Sequence, residues 1–254
     1  MEQHGPVRWL ILNRPNRRNA INDELISALL HQAESVDEDP ATSVVVIAGE
    51  GPSFCAGGDF QHFLSVDQEG KIMDFLSRIS ACLTRIESSP KPWVAAVHGH
   101  AIAGGLEIAL VCDVVIAAAD TLIGDGHINN GLIPGAGSSV RLERAIGKGW
   151  ARWLHLSGEL QLAQDLLPTG WIREVVPFDE LRARAQKVAE QLASQNSQVQ
   201  QSFKQLLNAQ AALGANLQRE LDAFEANWVQ NDVPSALRAF LAQRGSDKRK
   251  DGNS

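Results

Sequence analysis

The sequence predicts an α/β fold followed by an all-helical C-terminal region. Three observations carry this. Short β-branched or aromatic runs alternate with amphipathic helical stretches. From about Ser194 the β-rich runs stop, and only helical patterns follow. The chain has 254 residues, 44% hydrophobic and 21% charged, which suits a globular protein with a sizeable buried core. The expected division is a core carrying the chemistry over 1–194 and a helical region over 195–254.

The run from Pro6 to Leu12 reads as a strand, bounded by Pro6 and by Asn13-Arg14-Pro15. Asn22-Asp23-Glu24 then opens a helix with Leu25, Ala28, Leu29 and Ala33 at helical spacing. Ser43 to Ala48 is β-branched and reads as a buried strand, closed by the turn Gly49-Glu50-Gly51-Pro52. Residues 71–88 carry Ile72, Phe75, Ile79, Cys82, Leu83 and Ile86 on one side of a second helix. Trp93 to Val97 is a strand, followed by a glycine-bearing bend, a short apolar helix from about Gly104 to Val111, and a strand from Asp113 to Ala118. Helices are expected over 196–211, 215–230 and 233–243, with a polar, frayed end from Gly245 to Ser254.

A formal charge of −7 argues against nucleic-acid binding, which needs a basic face. Cys55, Cys82 and Cys112 are odd in number and scattered, so neither a disulfide framework nor a metal knuckle is expected, and a reducing cytoplasm is the default. No basic-then-apolar leader opens the sequence. The most apolar stretch, Trp93 to Ala119, is interrupted by His98, His100, Glu107 and Asp113, so no membrane span is expected.

Two segments set glycines beside polar residues: Phe54-Cys55-Ala56-Gly57-Gly58-Asp59 and Gly99 through Gly105-Leu106-Glu107. Consecutive glycines let backbone amides approach a ligand closely. The second pair lies where a helix begins and its N–H groups are free. Two such amides can converge on one oxygen that gains negative charge. Glu107, in the first turn of an apolar helix, is the candidate acid–base group. The helix N-terminus favours its carboxylate and burial opposes it; if the pocket closes, desolvation should win.

Other chemistries fit poorly. His98 and His100 share a strand face but lack a third or fourth ligand, so no metal is expected. Gly99 to Gly104 has a P-loop frame without the lysine, and Gly135-Ala136-Gly137 lacks the third glycine of a dinucleotide fingerprint. The chain has no tyrosine and no Gly-x-Ser-x-Gly elbow.

Asn13-Arg14-Pro15 through Arg18-Asn19-Ala20-Ile21, the segments ending in Asp59 and Glu107, Gly131-Leu132-Ile133-Pro134-Gly135-Ala136-Gly137 and Ser157-Gly158-Glu159 together resemble the crotonase (enoyl-CoA hydratase/isomerase) superfamily. The resemblance spans nearly the whole chain in order. It implies a crotonase-type spiral of ββα units with a C-terminal helical trimerisation region, hence a homotrimer or a dimer of trimers. It also implies an acyl-CoA thioester substrate, with coenzyme A as part of the substrate and no permanently bound cofactor. On the family pattern the amides of Gly58 and Gly104 form an oxyanion hole, Glu107 is catalytic, and Ala56, Asp59 and Arg18 contact substrate, while Cys55, His98 and His100 are packing residues, Cys55 not a nucleophile. The family's second glutamate falls, counting back from Pro134, on His127, with Asp125 two residues earlier. If His127 holds water with Glu107, activity is expected to titrate between about pH 5.5 and 7.5, around an unperturbed histidine. A basic residue common in relatives after the motif aspartate is here Gln61, which leaves Arg17 and Arg18 as candidates for the nucleotide phosphates. The resemblance implies a 2-enoyl-CoA hydratase first. An isomerase or thioester hydrolase on the same scaffold, or a non-catalytic acyl-CoA-binding homologue, are the alternatives. The apolar stripe Leu217, Leu221, Phe224 and Trp228 is read as surplus to one appendage, and so as an assembly surface.

Overall fold

The computed structural model describes the backbone of residues 1–209 and 214–251, and side chains over 1–208 and 217–243. The chain starts with β1 (Glu2–His4) and β2 (Val7–Leu12), then α1 (Asp23–Glu38), whose N-cap Asn22 accepts a hydrogen bond from Leu25 N. Next come β3 (Val44–Gly49), α2 (Phe60–Gln68), α3 (Ile72–Ser88), β4 (Trp93–Val97), β5 (His100–Ile102), α4 (Gly104–Leu110), β6 (Val114–Ala118) and β7 (Leu122–Gly124). A one-turn helix, His127–Asn130, leads to α5 (Ser138–Ser157), β8 (Gln161–Leu162), α6 (Ala163–Leu166), β9 (Ile172–Val176) and α7 (Phe178–Ala193). Only helices follow: α8 (Ser197–Ala209), α9 (Gly214–Gln230) and α10 (Val233–Asp251).

The larger sheet runs β1-β2-β3-β4-β6-β9, parallel except for the β1–β2 pair; β5-β7-β8 form a second sheet. Two turns of the spiral place one strand in each sheet before a helix, β4–β5–α4 and β6–β7–α5. Side chains alternate across the larger sheet as the strand period of two requires. Val44 and Val46 face Leu181, Ala185 and Val188 of α7, whereas Val45 and Ile47 face the principal core. Runs of β-branched residues buried on both faces explain why these strands are legible as continuous apolar segments.

Three expectations need correction. The stripe read as an assembly surface covers the chain's own body instead. Phe224 and Trp228 of α9 join the principal core with Leu221 against it, and Trp228 Nε1 donates to Asp67 Oδ1 at 2.6 Å. An amphipathic stripe announces a buried face but not whose surface buries it. The bend before α4 holds the strand β5, too short to show alternation. The helical backbone of α10 runs on to Asp251, past the residue expected to start fraying; Gly245 costs only about 1 kcal/mol within a helix and does not end it. Expected residues 210 and 211, at the end of the first C-terminal helix, lie outside the described residues.

Candidate active site

Two glycine segments lie side by side. Ile21 N donates to Gly57 O at 2.8 Å and Asp59 N to Ile21 O at 2.9 Å, so Gly58 faces the other way, in a single parallel bridge. Cys55 N donates to His100 O and Ile102 N to Cys55 O, tying this segment to β5. Gly104, the first residue of α4, is close enough that a Cβ added there would stand 3.6 Å from Gly57 Cα. At Gly105 a Cβ would come within 2.1 Å of Cys55 O, so only glycine fits. Among the described residues neither the Gly58 nor the Gly104 N–H donates to another group of the chain. The structure brings the two expected amides together, both unspent. Ala103, between β5 and α4, holds φ 51° and ψ −116°, a conformation costly for a residue with a side chain.

Glu107 is buried one turn into α4, and its Oε1 accepts from Ala136 N and Ser138 N, both at 3.1 Å. Burial raises its carboxyl to about 7, with the nearby charges of Glu220 and Asp125 adding to the rise and His127 opposing it. Desolvation is the largest influence on this carboxyl.

His127 lies within the electrostatic reach of Glu107, in the one-turn helix after β7. Its Nδ1 is 3.0 Å from Asp125 Oδ1. Asp125 is itself buried, accepts from Ser138 Oγ at 2.7 Å, and pairs through Oδ2 with His155 Nδ1 at 3.2 Å. Burial works against the imidazolium, but the Asp125 carboxylate and its hydrogen bond outweigh it and raise His127 to about 9. The expected titration of His127 near 6.5 is therefore corrected: the group titrating near neutrality is Glu107, and His127 keeps its proton well above it. Asp125 and His155 also line a cavity of about 640 Å³ with Leu132, Pro134 and Asn227; no lining residue belongs to either glycine segment, so this space is separate from the amide pair.

The expected substrate-contacting residues differ in their freedom. Ala56 is half-buried and its N donates to Arg18 O at 3.0 Å. Arg18 is exposed and carries a left-handed backbone, φ 49°. Asp59 has partners within the chain: it pairs with Arg14 at 3.0 Å and caps α2 through Gln61 N at 3.2 Å, which anchors Gly58 rather than presenting a free carboxylate. Gln61 and Arg17 are exposed. His98 Nε2 donates to Gly51 O at 2.8 Å, and His100 Nδ1 shares a hydrogen bond with Ser53 Oγ at 3.0 Å, so each has a separate partner. Among the described residues no group of three metal-ligating side chains converges. Cys55 is buried and its thiol pushed up to about 12 by desolvation, the state of a packing residue.

Sequence reasoning missed Ser138, His155 and Glu220. Glu220, on α9, is buried and accepts from Ser139 N at 2.8 Å, from Ser139 Oγ and from Gly137 N.

The model of the enoyl-CoA hydratase/isomerase family matches residues 2–248. A 2,3-dehydroadipyl-CoA hydratase of Escherichia coli (strain K12) is 35% identical over 243 residues, covering 95% of this chain and 94% of that protein. A probable enoyl-CoA hydratase of Rhizobium meliloti (strain 1021) is 33% identical over 250 residues, 97% of this chain and 96% of its own. The crystal structure of an enoyl-CoA hydratase from Mycobacterium avium subsp. paratuberculosis superposes with a TM-score of 0.84 at 28% identity, covering 93% of this chain and 96% of that one. With matches of this length over a spiral core that sets two free glycine amides beside a buried glutamate, the chain belongs to the enoyl-CoA hydratase/isomerase family.

Proposed function

We propose that this protein adds water across the C2=C3 bond of a 2-enoyl-CoA thioester, with Glu107 and His127 as the proton-transferring pair and the Gly58 and Gly104 amides as the oxyanion hole. The observation that carries the reading is the pair itself: a buried carboxylate and a half-buried imidazole of opposite charge preference, beside two unspent N–H donors. Between about pH 7 and 9 Glu107 is a carboxylate while His127 retains its proton. Glu107 takes a proton from water as the oxygen bonds to C3. The C2=C3 electron pair moves toward the thioester carbonyl, whose oxygen gains negative charge between the two amides; one such donor is typically worth about 2.7–4 kcal/mol in the transition state. C2 then takes the proton from His127 Nε2, and passage of a proton from Glu107 to His127 resets the site. Coenzyme A enters as part of the substrate, and the exposed Arg17 and Arg18 are the groups proposed to meet its phosphates.

The same reading includes assembly as a homotrimer, singly or as a pair of trimers. Its support is the apolar face of α8, where Val199, Phe203, Leu206 and Leu207 are exposed, together with exposed Trp153 and Leu156 on α5. Among the described residues no helix is long and apolar enough to cross a membrane, and the unpaired Cys55, Cys82 and Cys112 suit the reducing cytoplasm proposed here.

Incubation with crotonyl-CoA tests the reaction. Loss of the conjugated enone absorbance without release of free thiol is the expected result. Thiol release would replace hydration by thioester hydrolysis, and neither signal with any chain length of 2-enoyl-CoA would overturn the proposal.

A further inference from the structure

The N-terminus of α5 divides its amides between two carboxylates. Of four consecutive N–H groups, Ala136 and Ser138 donate to Glu107, whereas Gly137 and Ser139 donate to Glu220. Alternate amides point to opposite sides here, so one short segment is held from both. Glu107 comes from α4 in the core and Glu220 from α9 in the C-terminal region. The same segment is fixed further by Ser138 Oγ on Asp125 and by Arg141, buried and bonded to Ala136 O at 2.9 Å and to Glu87 at 2.8 Å.

We infer that Glu220 is a positioning residue of the catalytic centre, through which the seating of α9 sets the geometry and the charge of the Glu107–His127 pair. The inference rests on the proposed reaction. Glu220 touches no reacting atom. It acts by consuming two donors that would otherwise stabilise charge at this helix end, and by adding a buried negative charge of its own. The charged or titratable groups that bear on Glu107 are His127 and Asp125 after β7, Glu220 on α9 and the Cys55 thiol; Arg141, already paired with Glu87, bonds the carbonyl of Ala136. Glu220 raises both Glu107 and His127. It therefore disfavours the carboxylate at one catalytic group and favours the cation at the other. A helix that merely braces the fold would not shift both in this way.

The test is Glu220→Gln, which keeps shape and one acceptor oxygen but loses the charge. The acid limb of kcat/KM, set by Glu107, should move to lower pH by on the order of half a unit to one unit. The imidazole of His127, followed by NMR without substrate and assigned with His127→Asn, should likewise titrate at lower pH than in the parent. Glu220→Asp, with the charge drawn back by one methylene, should fall between the two. A Gln variant that folds with both midpoints unmoved would overturn the inference, and so would an unmoved Asp variant if the Gln variant does not fold. The NMR midpoint reads the coupling without turnover, so failure of the hydratase reading is distinguishable from failure of this one.

Discussion

His127 Nδ1 stands 3.0 Å from Asp125 Oδ1, an ion pair closed across the left-handed Gly126. The pair commits one ring nitrogen to a buried carboxylate, leaves Nε2 for the reaction, and holds the imidazole in its protonated form up to about 9. A histidine with a raised pKa loses its proton as pH climbs through that raised value, so it forms the basic limb of the rate profile, while Glu107 forms the acid limb at about 7. Asp125→Asn removes the charge that supports the imidazolium. The basic limb should then move down toward the ordinary histidine value of about 6.5. A kcat/KM profile whose basic limb stays in place would assign that limb to another group.

His127→Ala should remove the basic limb and lower turnover by about 10²–10⁴-fold, the usual range for a general acid or base. His127→Glu restores a carboxylate beside Glu107. With Asp125 still ionised next to it, a glutamate there would meet a like charge, so it should recover activity only partly, and more fully when combined with Asp125→Asn. Rate and profile left intact in the alanine variant would show that Glu107 acts alone, as a single-base isomerase requires.

Much of this centre was legible in the sequence because its chemistry sits in short local patterns. Gly57-Gly58 and Gly104-Gly105 announce close backbone approach, and the count back from Pro134 reaches His127, which the structure does set within reach of Glu107. What was not legible depends on distant contacts. His155 reaches Asp125 from α5, and Glu220 bonds Gly137 across 83 residues from a stretch that reads as an ordinary polar helix face. The pKa of His127 belongs in the same class: the sequence shows Asp125 two positions away, but only the left-handed turn at Gly126 brings the carboxylate onto Nδ1. The helix α2 does not stand out in the sequence, although Asp59 precedes Phe60, Phe63 and Val66 at helical spacing, because the glycine motif gives Asp59 a substrate contact while the structure uses it as a cap.

Assembly is checked by sedimentation. The exposed face of α8 carries four large apolar residues, Val199, Phe203, Leu206 and Leu207. At micromolar concentration the mass should be three times that of the 27.5 kDa chain, or a multiple of it. Placing Glu at both Phe203 and Leu207 should shift the mass toward a single chain if this face is the contact. A single-chain mass for the parent would remove the trimer from the proposal.

Ala103 supplies the last prediction. It holds φ 51° and ψ −116° directly before the Gly104 amide, and its own N–H is tied to Gly124 O at 3.1 Å while its carbonyl accepts from Glu107 N at 2.9 Å. Those bonds aim the first amide of α4 and place Glu107, so the strain is imposed by the site. For a residue with a Cβ such a conformation costs of order 1–3 kcal/mol. Glycine adopts it freely, at an unfolded-state entropy penalty of about 0.4–1 kcal/mol. Strain relief is the larger quantity, so Ala103→Gly should unfold at a higher denaturant midpoint than the parent, with turnover within a few-fold because the Gly104 N–H keeps its direction. The same geometry rules out proline at 104 as a clean way to delete that amide: a residue before proline is pushed to extended backbone, which Ala103 cannot adopt without releasing Glu107. A lower midpoint for Ala103→Gly would mean that the methyl group contributes more by packing than the backbone loses by strain.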